Sequence, residues 1–211
     1  MNSAYISDEA ASCTRLDEVL PTSAFSLFIS AVYRADNKNE APSRVLIERL
    51  TSTMRSADWY AGTSKDAYIH RAWMRRGNPD SAFDGSRPQI AILNTASDLA
   101  PCNMHLDELA QSVKNGIWEA GGVPHNLPMV SLGETNVRPT AMLWRNMVAM
   151  ATEEMIRANP IDGVVLLGGC DKTIPALLMG ATSVNLPTII VPGGPMLNGT
   201  FKGCLLYTSP S

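Results

Sequence analysis

The feature that most constrains this chain is the apolar run Val164, Val165, Leu166 and Leu167, which ends in Gly168, Gly169, Cys170, Asp171 and Lys172. A continuous apolar run opened by Asp162 and Gly163 fits a strand covered on both faces, the environment of a parallel sheet. Two glycines let the backbone turn sharply, and residues 173–179 resume at helical spacing. The joint therefore reads as strand, turn and helix. In an open parallel α/β sheet, ligands bind just beyond the carboxyl ends of the strands. Cys170, Asp171 and Lys172 place a soft metal ligand, a hard one and a modifiable amine in that single turn.

The same alternation runs through the chain from Pro88. Residues 89–93 read as a strand and 94–103 as a loop. Leu106, Leu109, Val113 and Ile117 then recur at helical spacing until Gly121 and Gly122 stop the helix. Residues 128–132 read as a second strand, followed by Gly133 and Glu134. Pro139 suits a first helical position, and residues 142–156 form a long apolar-rich helix. Residues 161–167 are the third strand, 173–184 the third helix and 187–191 the fourth strand. Strands alternating with helices imply right-handed βαβ units. The expected fold is α/β, a parallel sheet of about four strands with crossover helices on both faces. Residues 1–54 show no sustained period and read as an N-terminal extension, and 55–203 as the α/β domain. Residues 204–211 read as a non-native tail.

Composition narrows the function classes. Seventeen basic against twenty acidic residues give a net charge of −3, which makes no electrostatic case for nucleic acid or an anionic membrane. No apolar run approaches a membrane span. Asp8, Glu9, Asp17 and Glu18 near the start argue against a signal or transit peptide. Cys13, Cys102, Cys170 and Cys204 are far apart and form no C-x-x-C pair, so the expectation is a reducing, cytoplasmic setting.

Cys102, Glu134 and the Cys170–Lys172 turn each follow a strand, so they meet at one edge of the sheet. Each also has a plainer reading. Cys170 could be a small buried hydrophobe, Asp171 an N-cap, Glu134 a turn cap and Lys172 a solvated cation. Two thiolates at one edge suit zinc or an iron–sulfur cluster, with a further ligand from elsewhere. Met142, Trp144, Met147, Met150 and Met155 read as core packing. Of His70, His105 and His125, only His105 falls near Cys102. Gly163 and Gly168 ahead of Lys172 lack P-loop spacing and span a strand, which argues against a nucleotide site.

The stretch from Leu167 to Ala176, with Met179 to Ala181 and Gly193 to Leu197, resembles the dihydroxy-acid/6-phosphogluconate dehydratase family. Arg87 to Thr95 through Pro101 to Asn103 resembles that family's first motif. Ser131 to Glu134, with Met142 to Asn146, resembles its sugar-acid (aldonate, such as pentonate) branch; the resemblance runs from roughly Arg55 to Gly203. It implies that Cys102 and Cys170 are two of three thiolate ligands of a [2Fe–2S] cluster, the third lying in a later motif. It also implies that Glu134 and Asp171 bind Mg²⁺, completed by a carbamylated Lys172. The implied reaction dehydrates a small-molecule sugar acid to a 2-keto-3-deoxy acid, with the general base in a second, barrel-like domain. The implied parent is a homo-oligomer, of which this chain would be an N-terminal fragment, inactive alone. Two alternatives stand beside it, a dihydroxy-acid dehydratase of branched-chain biosynthesis and a non-catalytic metal- or ligand-binding module.

Overall fold

Gln89 and Asp162 anchor the amino end of the sheet, because the Asp162 carboxylate accepts three hydrogen bonds there. The donors are Gln89 N at 2.7 Å, Ser56 N at 2.8 Å and Ser56 Oγ at 2.6 Å. The computed structural model describes residues 54–194, together with the backbone of 199–201 and 204–206. The extension expected over residues 1–54, Cys13 included, lies outside the described residues except for Met54. Of the expected tail, residues 207–211 lie outside them too.

Among the described residues two helices come first, α1 (Ala57–Tyr60) and α2 (Lys65–Met74). The alternating part follows as β1 (Gln89–Asn94), α3 (Leu106–Glu119), β2 (Val123–Pro128), α4 (Met142–Ala158), β3 (Gly163–Gly168), α5 (Thr173–Val184) and β4 (Thr188–Pro192). An antiparallel hairpin closes the described chain, β5 (Gly199–Phe201) with β6 (Cys204–Leu206). The four main strands pair in parallel in the order β2-β1-β3-β4, the α/β fold expected. The connection from β1 leads towards β2, and the connection from β3 leads the other way, towards β4. Right-handed crossovers then put α3 on one face and α4 with α5 on the other. The first packs on β1, β2 and β3, and the latter two pack on each other.

Burial follows that layering. Both β1 and β3 are buried along their whole length. Ala91, Leu93, Val164 and Leu166 project towards α4 and α5, where they meet Ile156, Leu177 and Ala181 in one core cluster. On α3, Leu106, Leu109, Ala110, Val113 and Ile117 form the buried stripe that its spacing predicts.

The structure corrects three readings. Pro139 precedes α4 rather than opening it, since the helix starts at Met142 with Ala141 as its cap. The second strand is residues 123–128 rather than 128–132. As the edge strand it is buried only over Val123 and Pro124 and partly covered beyond, so the polar His125 and Asn126 hide it from a search for apolar runs. Pro124 and Pro128 lack N–H donors, a defect that an edge strand tolerates. The core reading of Met142, Trp144, Met147 and Met150 also fails: all four are exposed. The buried face of α4 is built from Val148, Ala149, Thr152 and Ile156, with only Met155 packing partly against the core.

Small residues on that face let the helices approach closely. A Cβ added to Gly180 would lie 2.5 Å from Ala149 O and 2.6 Å from Thr152 Cβ. Helix propensity alone makes Gly180→Ala stabilising by about 1 kcal/mol, but the clash is with backbone and wins. The expected outcome is a loss of about 1–3 kcal/mol, read by denaturant unfolding, with Gly77→Ala, where a Cβ meets nothing, as the harmless control. A second expectation concerns His125, whose Nε2 lies 2.7 Å from Gln89 Oε1. Gln89 Nε2 already donates to the carbonyls of Ala82 and Arg87, so Oε1 accepts and His125 Nε2 carries the proton. Burial pushes the His125 pKa down to about 4, below its value of about 6.5 in an unfolded chain. The unfolded state binds the extra proton, so this group's contribution is intact above pH 6.5 and is lost as the pH falls towards 4. Stability falls by at most about 1.4 kcal/mol per pH unit in that window. His125→Gln flattens the pH profile there relative to the unaltered chain.

Candidate functional site

The neighbours β1 and β3 send their following connections to opposite faces, which opens a crevice beyond their carboxyl ends. Such a switch point is where open α/β sheets bind ligands. Here it is built by four loops, one after each of β1, β2, β3 and β4.

The loop after β1 is held by two residues at the strand end. Asn94 Oδ1 accepts from Ala96 N at 3.0 Å, and Asn94 Nδ2 donates to Asp107 Oδ1 at 2.7 Å. Thr95 Oγ1 donates across to Leu167 O, the last turn of β3, at 2.8 Å. Cys102 sits in the 3-10 turn Pro101–Asn103, closed by Asn103 N on Ala100 O at 2.7 Å. That turn rests on Gly169, where a Cβ would lie 2.5 Å from Asn103 Oδ1 and 2.8 Å from Cys102 O. Only glycine permits this approach.

Cys170 follows with φ +69°, a left-handed conformation unusual for a residue with a side chain. Its thiol is hydrogen-bonded with that of Cys102. Burial, first, and then the neighbouring Cys102 and the Asp171 and Glu134 carboxylates push the Cys170 thiol up to about 12. Cys170 is therefore protonated at neutral pH in the absence of a compensating cation.

The carboxylates form the adjoining group. Leu132 N donates to Thr173 Oγ1 at 3.0 Å, which ties the loop after β2 to the start of α5. Gly133 packs directly against Leu99 O, and Glu134 opens the 3-10 turn Glu134–Asn136. Lys172 Nζ lies 3.1 Å from Glu134 Oε1 and 2.8 Å from Asp171 Oδ2. The hydrogen bond from Lys172 holds the Asp171 carboxyl below its ordinary range, and the Asp171 and Glu134 bonds raise the Lys172 ammonium. The Lys172 ammonium is paired with both carboxylates rather than standing alone in solvent. Asp171 does not cap α5, whose cap position is Lys172 with no side-chain cap bond.

Every residue singled out at the sheet edge is thus in one place, as Cys102 with Cys170 and Glu134 with Asp171 and Lys172. Among the described residues, no three His, Cys, Asp or Glu side chains already stand grouped as a metal site. His105 is exposed and close to Gly193, whose added Cβ would lie 3.1 Å from His105 Cε1 and 2.8 Å from Cys102 O. His70 and His125 line a separate cavity of about 290 Å³ with Trp59, Tyr60 and Trp73. Thr95, Asn103 and Gly193 were not legible as site residues. The one available signal was a buried polar pair at the end of an apolar strand.

Fold and site together define a doubly wound α/β domain with a thiol pair and an amine–carboxylate cluster at its switch point. The chain belongs to the dihydroxy-acid/6-phosphogluconate dehydratase family, whose N-terminal pattern matches residues 87–209. The L-arabinonate dehydratase of Rhizobium leguminosarum bv. trifolii (strain WSM2304) is 59% identical over 151 residues, 71% of this chain and 26% of that protein. The L-arabonate dehydratase of Azospirillum brasilense is 56% identical over the same shares. A dihydroxy-acid dehydratase of Methanobrevibacter smithii is 38% identical over 140 residues, 64% of this chain and 25% of that protein. The chain spans about a quarter of the length of the curated relatives it matches. No helix of the described residues is long and apolar enough to cross a membrane.

The raised Cys170 pKa gives a direct expectation. At pH 8.5 its thiolate fraction is on the order of one in 10³ or less, so iodoacetamide modifies Cys170 slowly. Cys102→Ala removes the thiol partner that helps to raise that pKa, and the rate, followed by mass spectrometry of the Cys170 peptide, rises several-fold.

Proposed function

We propose that this chain is the N-terminal part of a hydro-lyase that dehydrates sugar acids, aldonates such as pentonates, to 2-keto-3-deoxy acids. The observation that carries the reading is the convergence of Cys102, Cys170, Glu134, Asp171 and Lys172 on one switch-point crevice. Relatives named for sugar acids are 42–59% identical, against 38% for the relative named for dihydroxy acids, and this favours the sugar-acid branch.

The donor set fits the groups that such a reaction uses. Cys102 and Cys170 would hold an iron–sulfur cluster, of the [2Fe–2S] kind, with a further ligand from outside the described residues. The nearby Asp171 and Glu134 carboxylates supply negative potential that a cationic centre would relieve. Glu134 and Asp171 would hold Mg²⁺, since hard cations take oxygen ligands. At present the Lys172 ammonium stands between those carboxylates as a stand-in cation. Addition of CO₂ to Nζ, with release of two protons from the ammonium form, makes Lys172 a third oxygen donor. Replacing the ammonium by a carbamate and a divalent ion leaves the local charge unchanged, so the two states are electrostatically interchangeable. When bound, the cluster supplies a Lewis acid for the departing C3 hydroxyl and Mg²⁺ a hard anchor for the substrate carboxylate and C2 hydroxyl.

The chain's own residues orient rather than attack. Thr173 and Leu132 fix the Glu134 loop, Gly169 admits the Cys102 turn, and Lys172 and Asp171 present their polar ends to the same space. The C2 proton leaves to a base outside the described residues and water departs from C3. The resulting enol tautomerises to the 2-keto acid.

The test is a chimera in which residues 55–203 replace the matching segment of the L-arabinonate dehydratase. Formation of 2-keto acid is measured with L-arabinonate and with 2,3-dihydroxy-isovalerate. Turnover of the aldonate, lost by about 10²-fold or more in Lys172→Ala, is the expected result. Preference for dihydroxy-isovalerate would move the chain to the branched-chain branch, and a folded chimera inert on both would sink the reading.

A further inference from the structure

Thr95 and Asn103, in the loop after β1, are completely buried polar side chains, each 0% exposed. They form a short relay. Thr95 Oγ1 spends its single proton on Leu167 O at 2.8 Å, so it can only accept from Asn103 Nδ2, at 3.2 Å. This fixes the orientation of the Asn103 amide. Its Oδ1 is thereby turned towards Gly169, where it has no hydrogen-bond partner among the described residues. A buried amide oxygen without a donor is costly, and close packing on the Gly169 backbone is what it receives in exchange. The two ends of the relay are sequence neighbours of the two thiols: Asn103 follows Cys102, and Gly169 precedes Cys170.

We infer that Thr95 and Asn103 are positioning residues that set the separation of Cys102 and Cys170, acting through the Leu167 carbonyl and the Gly169 backbone. The relay joins the loop after β1 to the end of β3, beside the thiol–thiol hydrogen bond of Cys102 and Cys170. This rests on the reading of the two cysteines as one ligand pair.

The experiment uses the 211-residue chain and phenylarsine oxide, whose As–O group condenses with two adjacent thiols to a cyclic dithioarsenite and water, without any redox change. The affinity of the unaltered chain relative to Cys170→Ser tests the pair itself. Thr95→Val, isosteric but without the hydroxyl, tests the relay: affinity is expected to fall about 10- to 100-fold, with helical signal and unfolding midpoint monitored alongside. Thr95→Ser restores the hydroxyl and is expected to recover most of that loss, a rescue that a merely space-filling role would not give. Asn103→Ser, too short to reach Thr95, is expected to lower affinity as Thr95→Val does. A folded Thr95→Val chain with unchanged affinity overturns the inference while leaving the pair intact. Loss of the fold in both Thr95→Val and Asn103→Ser also overturns it, since the relay would then hold the domain and not the thiols. Equal binding by the unaltered chain and Cys170→Ser removes the pair, and the inference with it.

Discussion

Everything at the crevice depends on how closely the turn carrying Cys102 can approach the end of β3. That distance is set at Gly169, where even one added methyl group would meet both Asn103 Oδ1 and Cys102 O. Parallel pairing of β1 with β3 brings the two strand ends side by side, but pairing alone leaves the following loops free to diverge to opposite faces. The absent side chain, together with the Thr95 bond to Leu167 O, is what makes them converge. The left-handed Cys170 follows from the same geometry, because the chain must turn its thiol back towards Cys102 before entering α5. Strain at such a residue, on the order of 1–3 kcal/mol, persists only where surrounding contacts over-determine it.

The second constraint is electrostatic. Two thiols and two carboxylates share a partly buried space with a single ammonium. Burial and these neighbours keep Cys170 protonated, while Lys172 keeps Asp171 ionised. The same residues would exchange these roles if positive charge arrived from a ligand, since a cation favours thiolates and carboxylates alike.

How much of this was legible in the sequence depended on burial. Strands β1 and β3 are covered on both faces, and their apolar runs announce them. Placing Cys102, Glu134 and the Cys170 turn after strands was enough to bring them to one edge. The edge strand β2 escaped because it is fully covered only over its first two residues, and His125 survives there by bonding Gln89 and remaining neutral. The methionines of α4 misled for a related reason. Apolar residues at helical spacing mark a face without saying which face is buried, and the small residues opposite are the ones that meet α5. The relay of Thr95 and Asn103 was illegible because hydrogen bonds between loops leave no periodic trace.

The helix contact also bears on the crevice, although it lies away from it. Ala149 and Thr152 against Gly180 bring α4 and α5 to close range, and this fixes where α5 begins. Thr173, its first residue, accepts from Leu132 N, and Glu134 follows two residues later. Lys172, immediately before α5, can reach Glu134 Oε1 only with that register intact. A larger residue at position 180 would therefore shift more than a core contact. By moving α5 along α4 it would alter the spacing of Lys172, Asp171 and Glu134. The close packing of the two helices is thus part of what defines the carboxylate group.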